Sequence, residues 1–382
     1  MAMNIRRILS ISSIAVLVAS VLVAPTFAAG NPNCTAVDGE YIVTFSKGVV
    51  IANEVKNVNG KQVNPRFMYS EAINGFAGFL TGDQVCNLQK RGNVEDVEAD
   101  QTVSIDATQT GVTWGIDRID QSSLPLSTTY NYTSTGSGVD AYVIDTGMLG
   151  THTEFTGRLK SGYSAISDGR GTNDCDGHGT HVAGTVGGVN YGVAKAVSLI
   201  PVRVLDCNGS GSTSGVIAGI NWAIANHAPG VKAVANMSLG GGISKSMDTA
   251  VNNLIKDGVV VVVAAGNSYQ SACNSSPARV SAAITVAASA SNDVFASFSN
   301  YGRCVDIIAP GVGITSAWHT GDAATNTISG TSMAAPHVAG AVARALSVNR
   351  SVTQVLGEAS ANKVTRVPTG TPNKLLFINP IN

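Results

Sequence analysis

The chain has 382 residues, of which 44% are hydrophobic and 13% charged, and its formal net charge is -1. That length allows two or more domains and a sizeable core, and the composition excludes a disordered chain or a coiled coil. With no basic field and no Lys/Arg stripe, nothing attracts a polyanion, so no nucleic-acid partner is expected.

The first element is a targeting segment. Arg6 and Arg7 precede an apolar run over residues 8–23, and Pro25-Thr26-Phe27-Ala28-Ala29 supplies small residues suited to cleavage. The run is short for a ~20-residue membrane span. No stop-transfer pattern follows, so residues 1–28 read as a secretory signal peptide, and the exported chain is expected to be extracellular, monomeric and free of the membrane. Six cysteines suit an oxidising compartment. They fall as Cys34 and Cys86, Cys175 and Cys207, and Cys273 and Cys304, and pairing in that order is one of about 15 connectivities.

Residues 29–106 read as a small α+β domain. Glu40 to Phe45 is strand-like, residues 67–80 alternate around Asn74-Gly75, and residues 94–105 return as extended chain. Thr81 and Gln84 have the capping-box spacing. They open a short helix expected to stop at Lys90-Arg91-Gly92. Around Asp106-Ala107 the chain turns polar and loses its periodicity, which predicts a domain boundary and a cleavage site there.

In residues 107–382 the pattern changes. Buried strands are predicted at 141–144, 198–204, 231–237, 259–264, 283–287 and 305–308, and helices at 178–186, 214–227, 245–256 and 332–346. This alternation predicts an α/β domain, a doubly wound, mainly parallel sheet with helices on both faces, whose ligands bind at the carboxyl ends of the strands.

Three residues there have the types needed for acyl transfer. Asp145 ends the strand 141–144 in a turn with Thr146-Gly147, where an Asp is also an ordinary turn former. His178 opens a Gly-rich helix start, Asp176-Gly177-His178-Gly179-Thr180-His181. A metal pair with His181 is disfavoured because no His-Glu-x-x-His arrangement is present. Ser332 follows Ser329-Gly330-Thr331 at the head of an apolar helix, where free backbone N–H groups favour negative charge but where a capping serine is also common. The surroundings Gly330-Thr331-Ser332-Met333-Ala334 fail the G-x-S-x-G pattern of α/β-hydrolases, which disfavours an esterase of that fold.

The segments Val143-Ile144-Asp145-Thr146-Gly147, His178-Gly179-Thr180-His181-Val182-Ala183-Gly184, Ala264-Ala265-Gly266-Asn267 and Gly330-Thr331-Ser332-Met333-Ala334-Ala335-Pro336-His337 resemble the signature blocks of subtilisin-like serine proteases. The order Asp, His, Ser is the order found in subtilisin. Trp114-Gly115-Ile116-Asp117-Arg118-Ile119-Asp120-Gln121 resembles the proteinase K branch, and residues 30–105 resemble that family's inhibitory propeptide.

The resemblance implies a secreted serine endopeptidase made as a self-processed zymogen, with its own propeptide as inhibitor and folding aid. Ser332 would be the nucleophile, His178 the base and Asp145 its orienting partner, with the Asn267 amide completing an oxyanion hole. Polypeptide substrates would pair with Gly209-Ser210-Gly211 and Ser238-Leu239-Gly240. Ala264-Ala265-Gly266 would wall a pocket for large apolar or aromatic side chains, and Thr213 stands at the rim where a relative carries an aromatic residue. No catalytic cofactor is implied. The resemblance also implies disulfides Cys175–Cys207 and Cys273–Cys304, and a structural calcium held by Asp306 with the carbonyls of Pro277 and Arg279. A second calcium site near Asp117, Asp120 and Gln121 lacks an acid, because Ser127 stands in that place. A silent binding module would have lost one of Asp145, His178, Asn267 and Ser332, and all four are present.

Overall fold

The computed structural model describes residues 34–100 and 107–379, so the signal segment and Asp106 of the expected cleavage site lie outside the described residues. The chain divides into two compact units, Met1–Val103 and Ser104–Asn382.

In the first unit a four-stranded antiparallel sheet runs in the order β2-β3-β1-β4, with β1 Gly39–Phe45, β2 Phe67–Tyr69, β3 Gly75–Leu80 and β4 Val94–Ala99. The short helix α1 (Ile51–Glu54) follows β1, and α2 (Gly82–Leu88) follows β3. Val43, Phe45, Phe76, Leu80, Val85 and Leu88 form its small core. The capping box forms as expected: Thr81 accepts from the Gln84 N–H, and the Gln84 side chain accepts from the Thr81 N–H. The predicted stop is corrected. The helix ends at Leu88, and Arg91 instead turns back to pair with Glu54 at 2.9 Å, taking the basic residue out of the last turn.

The second unit opens with the hairpin β5 (Ala107–Thr110) and β6 (Thr129–Tyr132), with α3 (Trp114–Ile119) between them. The predicted strands then appear, each within a few residues of its expected bounds: β7 Val139–Asp145, β9 Ser198–Arg203, β10 Lys232–Met237, β11 Val259–Ala264, β12 Ile284–Ser289 and β13 Ile307–Pro310. With β8 (Tyr163–Ser164), β16 (Ser360–Ala361) and β17 (Lys374–Leu375) they make a sheet ordered β16-β17-β13-β12-β11-β10-β7-β9-β8, parallel except at β16–β17. The chain leaves β7 for β9 on one side and reaches β10 on the other. The strand order therefore reverses at β7, which places the ligand crevice beyond the carboxyl ends of β7 and β10.

Alternation along each strand feeds two cores. Val139, Ala141 and Val143 of β7, with Val234 and Val262, pack under α4 (His178–Gly187) and α7 (Thr331–Ser347). Tyr142, Ile144, Ala235 and Val261 pack on the opposite face, under α5 (Thr213–Asn226) and α6 (Lys245–Lys256). A hairpin of β14 (Ile314–Ala317) and β15 (Thr325–Ile328) leads into α7, and α8 (Val352–Glu358) follows it. The three disulfides pair the cysteines in chain order, Cys34–Cys86, Cys175–Cys207 and Cys273–Cys304. Among the described residues no helix is long and apolar enough to cross a membrane.

Candidate active site

Asp145 is the last residue of β7 and fully buried. One of its oxygens, Oδ1, accepts from the Thr146 N–H at 2.7 Å and meets His178 Nδ1 at 2.8 Å. His178 is the first residue of α4. The residue before it, Gly177, has φ of 111°, and a β-carbon there would stand 2.4 Å from His319 Nδ1 and 2.6 Å from the Trp318 ring. Both the backbone and the packing demand glycine at this turn.

A buried carboxylate that motif reading passed over, Asp174, holds the same turn. Its two oxygens accept from Thr146 Oγ1, the N–H groups of Asp176 and Gly177, and the N–H and hydroxyl of Thr180, at 2.6 to 3.0 Å. Burial works against the His178 imidazolium. The charge and hydrogen bond of Asp145, aided by the charges of Asp176 and Asp174, outweigh it, so the His178 pKa lies above that of an ordinary histidine. The other two histidines of the signature blocks are core residues. His181 meets Ile314 O at 3.0 Å and His337 meets Met333 O at 2.8 Å, and burial lowers both to about 4.

Ser332 is the second residue of α7, where a helix leaves its N–H without an intrahelical partner. Its carbonyl is also free, because the donor four residues on is Pro336, which has no N–H. Ser238, just past β10, fills that gap with its hydroxyl at 2.7 Å, and Ser332 Oγ donates back to Ser238 O at 3.2 Å. The nucleophile's helix is thereby tied to the carboxyl end of the sheet.

Asn267 follows β11. Its Oδ1 accepts from both the N–H and the hydroxyl of Thr331, at 2.8 and 2.9 Å, which leaves Nδ2 as the outward donor of the amide. Thr331 Oγ1 also accepts from the Gly266 N–H at 3.0 Å. Over Gly330, the point a β-carbon would occupy lies 3.4 Å from Asn267 Nδ2 and 3.6 Å from Ser332 N. Two nitrogen donors thus lie near one point, which is also 3.8 Å from Asn267 Oδ1.

The predicted binding segments line two adjoining hollows. Gly209, Ser210, Gly211 and Thr213 share a cleft of about 460 Å³ with His178, Ser238, Leu239 and Gly240. Ala264, Ala265, Gly266 and Asn267 line the other with Ser332, Leu239 and Gly240. The residues expected to hold calcium are connected through Thr285, and Pro277 O already accepts from the Val280 N–H at 2.9 Å. The Thr285 N–H donates to Asp306 at 2.8 Å while its hydroxyl donates to Ala278 O at 2.8 Å, so the 277–279 turn and Asp306 lie against the same residue. Burial raises the Asp306 pKa, and a hard cation would offset that cost. At the second candidate site, Ser127 donates its N–H and hydroxyl to Asp117, and Thr128 donates its N–H. Where the expected acid would add an oxygen ligand, Ser127 instead satisfies the existing carboxylate. Of the two histidines of that block, His178 meets Asp145 through Nδ1 and His181 meets Ile314 O through Nε2. Among the described residues, the sole grouping of three His, Cys, Asp or Glu ligand atoms is Asp168 with Cys175 and Cys207, whose sulfurs are in a disulfide.

Comparison with known proteins agrees with the fold. The profile of the Subtilase family matches residues 136–366, and that of Peptidase inhibitor I9 matches residues 40–106. The extracellular serine proteinase of Thermus sp. (strain Rt41A) is 55% identical over 316 residues, covering 81% of this chain and 77% of that protein. The alkaline serine exoprotease A of Vibrio alginolyticus is 46% identical over 370 residues, covering 91% of this chain and 68% of its own length. The crystal structure of a cold adapted subtilisin-like serine proteinase superposes with a TM-score of 0.67 at 51% identity, covering 70% of this chain and 99% of that one. The chain belongs to the subtilase family: it is a secreted, proteinase K-like serine endopeptidase that carries an I9 inhibitor propeptide ahead of its catalytic domain.

Proposed function

We propose that Ser332, His178 and Asp145 carry out peptide-bond hydrolysis as nucleophile, general base and orienting carboxylate, with Asn267 Nδ2 and the Ser332 N–H as oxyanion donors. The observation that carries this reading is the 2.8 Å contact between Asp145 Oδ1 and His178 Nδ1, and the nearness of both nitrogens to one point over Gly330 supports the oxyanion assignment. Rotation of Ser332 Oγ away from Ser238 O lets it attack the scissile carbonyl while His178 Nε2 takes its proton. Asp145 at Nδ1 fixes the tautomer and stabilises the imidazolium. The oxygen that becomes negative then sits near the point over Gly330, held by donors whose positions are already set by Thr331 and by the helix start. His178 returns the proton to the leaving amine, and water repeats the sequence on the acyl-enzyme.

The substrate lies as an added strand between residues 209–211 and 238–240, bonded mainly through its backbone. The side chain of the cleaved residue enters the hollow walled by Ala264, Ala265 and Gly266, where the small apolar wall favours large apolar or aromatic groups. Asp306, with the carbonyls of Pro277 and Arg279, holds a structural calcium, which plays no part in the chemistry. Residues 29–106 act as inhibitor and folding aid until the chain cuts itself at Asp106/Ala107, leaving 107–382 as the catalytic domain.

Ser332→Ala tests the central assignment. The variant is expected to fold and to accumulate as unprocessed precursor, with kcat down roughly 10⁶-fold, a magnitude borrowed from subtilisin. Processing at an undiminished rate in a pure preparation would reassign the nucleophile.

A further inference from the structure

Asp145 and His178 must stay in register for proton transfer, yet they come from different elements, 33 residues apart in sequence. One buried side chain with no role in the chemistry above touches the neighbours of both. Asp174 is 3% exposed, so water cannot stand in for its partners. Its Oδ1 accepts from the Thr146 hydroxyl at 2.9 Å, and the Thr146 N–H in turn donates to Asp145 Oδ1 at 2.7 Å. The same Oδ1 accepts from the N–H of Gly177, one residue ahead of His178, at 2.9 Å. Oδ2 accepts from the N–H and hydroxyl of Thr180, in the first turn of α4, at 2.8 and 2.6 Å.

Secondary ties close the same seam. The Gly179 N–H donates to Thr146 Oγ1 at 2.8 Å, the Leu149 N–H donates to Thr180 Oγ1 at 3.0 Å, and the Asp174 N–H donates to Met148 O at 3.3 Å. The turn after β7 and the start of α4 are thereby fastened to each other, with the Asp174 carboxylate at the centre. A buried carboxylate held by this many donors is fixed in place, and its charge is fixed with it.

That charge acts on His178 together with others. His178 feels Asp145 from β7 and Asp176 and Asp174 from the loop before α4. On its own helix His181 is kept neutral by burial, and the His319 ring packs on Gly177 from the hairpin of β14 and β15. Arg203 packs behind Gly147 but is bonded to Asp168 at 2.7 and 2.6 Å. We propose that Asp174 is a positioning residue of the proton-transfer apparatus: through Thr146 and the Gly177 turn it sets Asp145 against His178, and its negative charge helps hold the proton that His178 takes from Ser332. This rests on the triad reading proposed above. Asp174 touches no substrate in this role, so its effect belongs to kcat and to the pH profile rather than to KM.

The test compares Asp174→Asn with wild type as processed enzymes, reading kcat and KM on a neutral peptide anilide from about pH 5 to 10, and the melting temperature. Asparagine keeps the shape, loses the charge and cannot accept at both ends. On the plateau kcat should fall about tenfold or more while KM stays within about twofold. The midpoint of the acid limb should move down by about half a pH unit, because losing a nearby negative charge lowers the His178 pKa. A brace with no part in proton transfer would lower rate and melting temperature and leave the midpoint where it was; that result overturns the proposal while the triad stands. A wild-type profile without an acid limb would instead overturn the triad reading on which the proposal rests. If Asp174→Asn yields no processed enzyme, Thr146→Val takes its place, since it keeps the Asp174 charge and cuts the tie to the Asp145 turn. There kcat should fall about fivefold at unchanged KM, and an undiminished kcat would overturn the proposal.

Discussion

The two compact units solve the problem of burying a sheet differently. The catalytic unit sandwiches its parallel sheet between two apolar cores, one under α4 and α7 and one under α5 and α6. The N-terminal unit has one small core on one side of four antiparallel strands, and leaves Phe67, Met68 and Phe79 more than half exposed. Its N-terminal segment is held by Asp38, which accepts from the Gly82 N–H at 2.8 Å, and by the Cys34–Cys86 bridge into α2. A small unit with so little apolar burial leans on such a staple. The contrast suits their fates: the part that must keep side chains registered for catalysis is braced on both faces, and the part that is an inhibitor to be discarded is not.

After the loss expected for Ser332→Ala, the largest effect again lies within the braced unit. Asn267→Ala would remove the proposed oxyanion donor without touching either core, so kcat should fall about 10² to 10³-fold with little change in KM and in thermal stability; subtilisin is the source of that magnitude. A matching rise in KM would show that the amide holds ground-state substrate rather than the transition state. A large fall in melting temperature would make Asn267 a brace of the Thr331 turn first and a donor second.

Next comes the staple. Replacing both Cys34 and Cys86 by serine in the Ser332→Ala precursor removes a link between residues 52 apart in sequence, worth about 4 kcal/mol by loop entropy. The N-terminal unit should then melt well before the catalytic unit, which should be unmoved. Equal shifts of both transitions would break the proposed difference between the units. A smaller effect is expected from calcium. Chelation should lower the catalytic unit's melting temperature by about 5 to 10 °C where the ion stands near 100 times its dissociation constant. Asp306→Asn should abolish the response to chelator; a response that persists would place the ion elsewhere.

The same contrast explains what could be read from the chain in advance. The strands of the catalytic unit are nearly continuous apolar runs because both faces are buried, so β11 and α6 emerge with the bounds expected for them. Asp145 and His178 sit where a strand and a helix respectively end and begin, and local sequence marks both. The end of α2 was misplaced because Arg91 and Gly92 look like a helix stop, whereas the distant Glu54 claims the arginine. The clasp between Ser238 and Ser332 joins residues 94 apart, and the grip of Thr331 on Asn267 joins residues 64 apart. No periodicity reports such pairs, and the missing N–H of Pro336, which leaves the Ser332 carbonyl without an intrahelical donor, does not say that Ser238 fills the gap. Asp174 was equally silent, since its five bonds come from a loop and a helix start that only the folded turn brings together.

The most direct measurement is the pH dependence of labelling by a serine-directed covalent inhibitor, followed by mass mapping. The account predicts a single modified residue, Ser332. Labelling needs neutral His178, and because its pKa is raised above the ordinary value of ~6.5, the rate should fall as pH drops through a midpoint higher than that. A label on another residue, or a rate that stays constant from about pH 9 to well below that midpoint, would contradict the assignment of Ser332 and His178.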